Sequence, residues 1–211
     1  MIRFLLIFSF WLMAPWAHAQ TVLVMGDSLS AAYNMPVEKG WVSLLERRLA
    51  KSYGPGWTVI NGSISGETTS GGLTRLPAAL ARHNPDLVLI ELGANDGLRG
   101  LQIAAMRANL NRMIALSKES GAAVGLIGVD LPGNYGQAFR QRFERVYAQI
   151  AAENSVPLLP NLLTPLMTKI ENFQEDMLHP TPMAQAQILE NLWPWLQPQV
   201  QAMVEVSAAD Q

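Results

Sequence analysis

Short apolar runs alternate along this chain with longer stretches whose apolar residues recur at helical spacing. Thr21–Met25 is near-continuously apolar, as expected for a strand buried on both faces. From Glu38 to Tyr53, Trp41, Leu44, Leu45 and Leu49 fall on one helical face, and Gly54-Pro55-Gly56 breaks the pattern. Trp57–Ile60 reads as a second strand, followed by a Gly/Ser/Thr-rich loop and a helix over Leu73–Arg82 that stops at Asn84-Pro85. Leu87–Leu92 predicts the third strand. Ile103–Ser117 predicts a helix with Ile103, Met106, Leu110, Met113 and Ile114 inward, and Ala123–Val129 the fourth strand. Gln137–Glu153 carries Phe139, Phe143, Val146, Tyr147 and Ile150 at helical spacing, and Val156–Leu159 is a short fifth strand. Thr181 is placed to cap a last helix, with Pro182 at its first position and Met183, Ala186, Leu189, Leu192, Trp193 and Leu196 inward.

Strict strand–helix alternation implies an α/β fold with a parallel sheet covered by helices on both faces. Right-handed crossovers restrict it to a doubly wound, flavodoxin-like three-layer sandwich, with five strands expected in the order 2-1-3-4-5. No repeat or linker divides the chain. The expected organisation is one domain over residues 20–206 with a loose tail over 207–211.

The first 19 residues stand apart. Arg3 gives a positive start, Phe4–Trp16 an apolar run, and Ala17-His18-Ala19 a small-residue cleavage pattern, together a signal peptide cut after Ala19. The run is too short to span a bilayer, and no later stretch is long and apolar enough for a stable membrane span. The mature chain is therefore expected to be exported, to the periplasm in a Gram-negative host. A net charge of −2 without a basic tract argues against a nucleic-acid partner. The absence of cysteine excludes disulfides, cysteine nucleophiles and thiolate metal sites.

In a sheet of this kind, ligands bind beyond the carboxyl ends of the strands. Four loops there carry polar, chemistry-bearing residues: Gly26-Asp27-Ser28-Leu29-Ser30, Ser65-Gly66-Glu67-Thr68-Thr69, Gly93-Ala94-Asn95-Asp96-Gly97 and Asp176-Met177-Leu178-His179-Pro180. Ser28 comes after a strand, where its hydroxyl can be exposed and its N–H can point at a ligand, although Ser28 or Ser30 could equally cap a helix. Of the three histidines, His18 lies in the signal peptide and His83 suits the end of a helix, where a cation meets the dipole. His179 lies three residues after Asp176. That pair serves either a Ser-His-Asp triad or a structural hydrogen bond. Gly66 and Asn95 offer a backbone N–H and an amide to a developing oxyanion, or form ordinary turns. Asp27 and Asp96 read as local hydrogen-bonding groups.

Taken together, the four blocks resemble the GDSL, or SGNH, hydrolase family. Gly26-Asp27-Ser28-Leu29-Ser30 is similar to its first block, Gly66 lies in a loop like its second, Gly93-Ala94-Asn95-Asp96 resembles its third and Asp176-x-x-His179-Pro180 its fifth. Asn61–Leu76 and Glu91–Gly100 look most like the bacterial exported thioesterase/lysophospholipase/arylesterase branch. Ala94 stands where that branch often has Gly, and Thr181 where the family often has Asn. The resemblance implies an SGNH hydrolase fold and a serine esterase acting on small-molecule carboxylic esters and thioesters (aryl esters, acyl thioesters, lysophospholipids). It implies Ser28, Asp176 and His179 as catalytic residues and the oxyanion hole on Ser28, Gly66 and Asn95.

The chemistry requires no cofactor and no metal. Leu73, Leu76, Pro77, Leu131, Pro132 and Tyr135 are candidates for the acyl-binding wall, with Leu131–Tyr135 expected as a mobile loop over the rim. A monomer is favoured. A glycan deacetylase, an acyltransferase and a non-enzymatic lipid-binding module are the rival readings.

Overall fold

A computed structural model describes residues 19–209. The expected signal peptide, except for Ala19, lies outside the described residues. Five strands form one parallel sheet in the order β2-β1-β3-β4-β5. They are β1 (Gln20–Gly26), β2 (Trp57–Asn61), β3 (Leu87–Glu91), β4 (Ala123–Ile127) and β5 (Leu158–Leu159). The helices are α1 (Trp41–Tyr53), α2 (Thr69–His83), α3 (Ala94–Leu98), α4 (Ile103–Glu119), α5 (Gln137–Asn154) and α6 (Gln185–Ala209).

Side chains alternate across a strand, and the two faces of β1 show it. Leu23 and Met25 face α2, α4 and α5, in a core with Val88, Ile90, Leu110, Met113, Phe143 and Tyr147. Val22 and Val24 face α1 and α6, in a second core with Trp41, Leu45, Leu49, Leu189, Leu192 and Leu196. The sheet is thus buried on both faces, which is why its strands read as apolar runs.

Several boundaries differ from the expected ones for local reasons. The stretch before α1 is a separate 3₁₀ turn over Val37–Lys39, cut off by an extended Gly40. Helix α2 starts earlier than its apolar pattern because the Thr68 hydroxyl accepts from Gly71 N–H and caps it. Its end at His83, with Asn84 left-handed, is where a breaker was expected. Strand β4 ends at Ile127, since Gly128 turns to bond Leu159 and Leu162 instead.

The last helix differs most. It begins at Gln185, and Thr181 does not cap it: the Thr181 hydroxyl is buried without a partner among the described residues. Its inward face is Ile188, Leu189, Leu192, Trp193, Leu196 and Val200, with Ala184 buried just before its start. Met183 and Ala186 point outward, Met183 with 88% of its surface exposed. The helix also continues through Ala209, over the start of the segment expected as a loose tail. No described helix is long and apolar enough to cross a membrane.

Candidate active site

The loops after β1, β2, β3 and β5 emerge on one edge of the sheet, because all five strands run parallel. Ser28 lies just past β1 in an irregular turn, and neither it nor Ser30 caps a helix, as the next α-helix starts at Trp41. Its hydroxyl lies 2.8 Å from His179 Nε2, although 151 residues separate the two. The other ring nitrogen, Nδ1, lies 2.6 Å from Asp176 Oδ2. The second Asp176 oxygen accepts the backbone N–H groups of Leu178 at 2.9 Å and His179 at 3.0 Å. Burial pushes the Asp176 carboxyl up. The hydrogen bonds from the backbone and ring of His179 and from Leu178 outweigh it and hold the group below its ordinary value. An ionised Asp176 thus faces Nδ1, which favours the tautomer with the proton there and leaves Nε2 free to accept from Ser28.

The histidine loop is held from both sides. Met177 sits at φ +57, a left-handed conformation unusual for a non-glycine residue, which folds Asp176 back onto His179. Gln174 N–H donates to the His179 carbonyl at 2.7 Å, and its side-chain amide donates to the carbonyls of Pro180 and, across in the serine loop, Tyr33. The Tyr33 ring covers the imidazole at 4.1 Å between centroids. Periodicity pointed to neither Gln174 nor Tyr33. Both lie in loops, where no pattern announces a contact.

The oxyanion candidates meet on the same edge. Gly66 sits at φ +79, where a side chain would be strained, and Arg99 donates to its carbonyl at 2.7 Å. Among the described residues, the N–H groups of Ser28 and Gly66 make no hydrogen bond and stay free for a ligand. Asn95 lies on α3 rather than in a plain turn. Its Nδ2 donates to Asp27 Oδ2 at 3.0 Å, leaving one amide hydrogen unused. Ala94, the departure beside it, is accommodated at the first position of α3.

Asp27 and Asp96 are hydrogen-bonding groups, Asp27 locally to the Leu29 N–H at 3.0 Å, and both also reach across the fold. Asp96 accepts from the backbone and hydroxyl of Thr69 at 2.8 and 2.6 Å, tying α3 to the start of α2. Asp27 is fully buried, and burial pushes its carboxyl up to about 6.

The acyl-wall candidates separate. Leu131, Pro132, Leu163, Met167, Phe173, Met177 and Leu178 line a cavity of about 140 Å³ beside the histidine loop. Leu76 does not reach it, being wholly buried in the core under α2. Pro77 is on the exposed face of α2, and Leu73 packs against the core from the same helix. Tyr135 lies in a 3₁₀ turn, with its hydroxyl donating to the Leu98 carbonyl at 2.9 Å, so the loop expected to be mobile is tied to α3. Among the described residues, no group of three or more His, Cys, Asp or Glu side chains is arranged to hold a metal.

The polar edge of this doubly wound sheet gathers a serine, an aspartate-paired histidine and unbonded N–H donors, the set of groups a serine hydrolase needs. The sequence profile of the GDSL-like lipase/acylhydrolase family matches residues 24–187, and the chain belongs to that family. An arylesterase of Vibrio mimicus is 49% identical over 191 residues, covering 90% of this chain and 95% of its own. Thioesterase 1/protease 1/lysophospholipase L1 of Escherichia coli is 39% identical over 188 residues, covering 89% and 86%. A crystal structure of TesA matches with a TM-score of 0.82 at 46% identity, over 85% of this chain and 99% of that one. The psychrotrophic esterase EstA from Pseudoalteromonas sp., in a structure inhibited by monoethylphosphonate, matches with a TM-score of 0.81 at 36% identity, over 86% and 99%.

Proposed function

We propose that this esterase hydrolyses acyl esters and thioesters (aryl esters, acyl thioesters and lysophospholipids) through a covalent acyl-enzyme on Ser28. The observation that carries the reading is the continuous hydrogen-bonded line Ser28 Oγ–His179–Asp176. His179 Nε2 takes the Ser28 proton as Oγ attacks the carbonyl carbon. The carbonyl oxygen, now negative, is held by the N–H groups of Ser28 and Gly66 and by Asn95 Nδ2. Asp176 steadies the imidazolium. The proton then passes from His179 to the leaving alcohol or thiol, and water, deprotonated by the same nitrogen, releases the acid and regenerates Ser28.

The acyl group enters the cavity lined by Leu131, Leu163 and Phe173. The mature chain is exported after cleavage at Ala19, and a Gram-negative host would place it in the periplasm.

Labelling with a fluorophosphonate and mapping the modified peptide tests the reading. Label on Ser28, with p-nitrophenyl ester hydrolysis lost in Ser28→Ala and His179→Ala, is the expected result. Wild-type turnover in both variants would overturn it.

A further inference from the structure

Glu91 closes β3 and is fully buried, yet the hydrolysis scheme does not use it. It stands directly opposite Gly26 in the parallel register of β1 and β3. Because Gly26 has no side chain, the Glu91 carboxyl crosses the space where one would stand. A Cβ on Gly26 would lie 2.8 Å from Glu91 Oε2 and 2.7 Å from Ser30 Oγ, closer than such atoms approach. Through that gap Glu91 Oε2 accepts the Ser30 hydroxyl at 2.7 Å and, more weakly, the Asp27 backbone N–H at 3.4 Å. The Ser30 carbonyl in turn accepts Asn61 Nδ2 at 2.8 Å. The turn that carries Ser28 is therefore pinned on both sides, and Asp27 reaches from it to Asn95.

The charged and titratable groups facing this carboxyl are Asp27 from the serine turn and Tyr147 from α5, with Asp96 and His179 beyond Asp27. Burial, and then the charge of Asp27, push Glu91 well above its ordinary value. Its other oxygen, Oε1, has no partner among the described residues.

We propose that Glu91 is a positioning residue for the oxyanion hole: by holding the Ser30 hydroxyl and the Asp27 amide, it fixes the turn from which Asp27 orients the Asn95 amide. Glu91 touches neither substrate nor nucleophile and acts only through Asp27 and Asn95. The inference rests on the proposed acyl-enzyme reading, in which Asn95 donates to the transition state. A displacement of about 1 Å at such a donor lowers turnover by up to about a hundredfold with little effect on ground-state binding.

The test is a double-mutant cycle. Glu91→Met, Glu91→Gln and Ser30→Ala are measured alone and in the Asn95→Ala background, with kcat and KM on p-nitrophenyl esters. Glu91→Met, which keeps the bulk and removes the acceptor, is expected to lower kcat about tenfold with KM held within about twofold. Glu91→Gln restores an oxygen acceptor of the same reach and should recover kcat to within about threefold of wild type. In the Asn95→Ala background, Glu91→Met should cause no further loss, because the group it positions is gone. Equal losses in both backgrounds would overturn the proposal and leave Glu91 a residue of general stability. Should Glu91→Met fail to fold, the Ser30→Ala cycle decides by the same criterion. Failure of the underlying reading is seen separately, as wild-type enzyme whose Ser28 takes no fluorophosphonate.

Discussion

Asp27 Oδ2 accepts the Asn95 side-chain amide at 3.0 Å while the Asp27 carboxyl is fully buried. The two facts conflict energetically. Burial disfavours the charged form, and the orientation of Asn95 is best served by it. The fold resolves the conflict with the Leu29 N–H on Oδ1 and the Asn95 amide on Oδ2, which bring the group back only to about 6 from above.

The outcome is a stability–activity trade-off at Asp27. An acid that ionises less readily in the folded chain than in the unfolded one binds more protons when folded between about pH 4 and pH 6. Native stability therefore falls as pH rises across that window and stays lowered above it. The size of the effect is at most about 3 kcal/mol. Asp27→Asn removes the buried charge and should raise the melting temperature at pH 8 more than at pH 4. It should also lower kcat about tenfold or more, since one carboxylate acceptor is replaced by a second donor facing Asn95. Melting curves at the two pH values check it, and a stability change independent of pH would count against the assignment.

Asp176 has the opposite sign. Its carboxyl is held below its ordinary value of 3.8, so its contribution to stability is complete above that value and is lost as pH falls below it. The side chain is 37% exposed, so solvent screening keeps that contribution small. The main effect of Asp176→Asn is expected on chemistry. The amide no longer favours the proton on Nδ1, and kcat should drop on the order of a thousandfold with little change in melting temperature above pH 6. Steady-state kinetics beside a thermal melt separates the two, and a loss of stability that parallels the loss of kcat would contradict it.

How much of the molecule was legible in the sequence depends on whether the signal was local. The strands were legible because residues such as Val22–Met25 are apolar on both faces, and the strand order because crossover handedness leaves few arrangements. Ser28, Gly66, Asn95 and His179 could be grouped because each comes after a strand, and parallel strands deliver their outgoing loops to one edge. Glu91 fell unremarked inside the predicted strand Leu87–Leu92, because its partners lie 61 and 64 residues away and depend on register. Leu76 was misplaced because an apolar residue on an amphipathic helix reads the same whether it faces the sheet or the rim, and α2 turns it into the core. Tyr33 lies in the aperiodic stretch between Ser28 and Trp41, where no pattern marks a ring that lies tilted against His179.

The cavity beside the histidine loop, about 140 Å³, is smaller than the roughly 300–1,000 Å³ of typical small-molecule sites. Under the proposed function it takes the first carbons of the acyl chain, with Leu131 and Leu163 as walls and Met177 and Leu178 carried by the loop that bears His179. Leu163 is the wall to remove, because it is only partly buried and Leu131 packs into the core. Leu163→Ala should move the preference among p-nitrophenyl esters toward longer chains, changing the ratio of kcat/KM for octanoate over acetate by about tenfold or more. The acetate rate should change little, since the shortest chain does not reach the new space. An unchanged profile in a folded variant would place the acyl chain elsewhere on the rim.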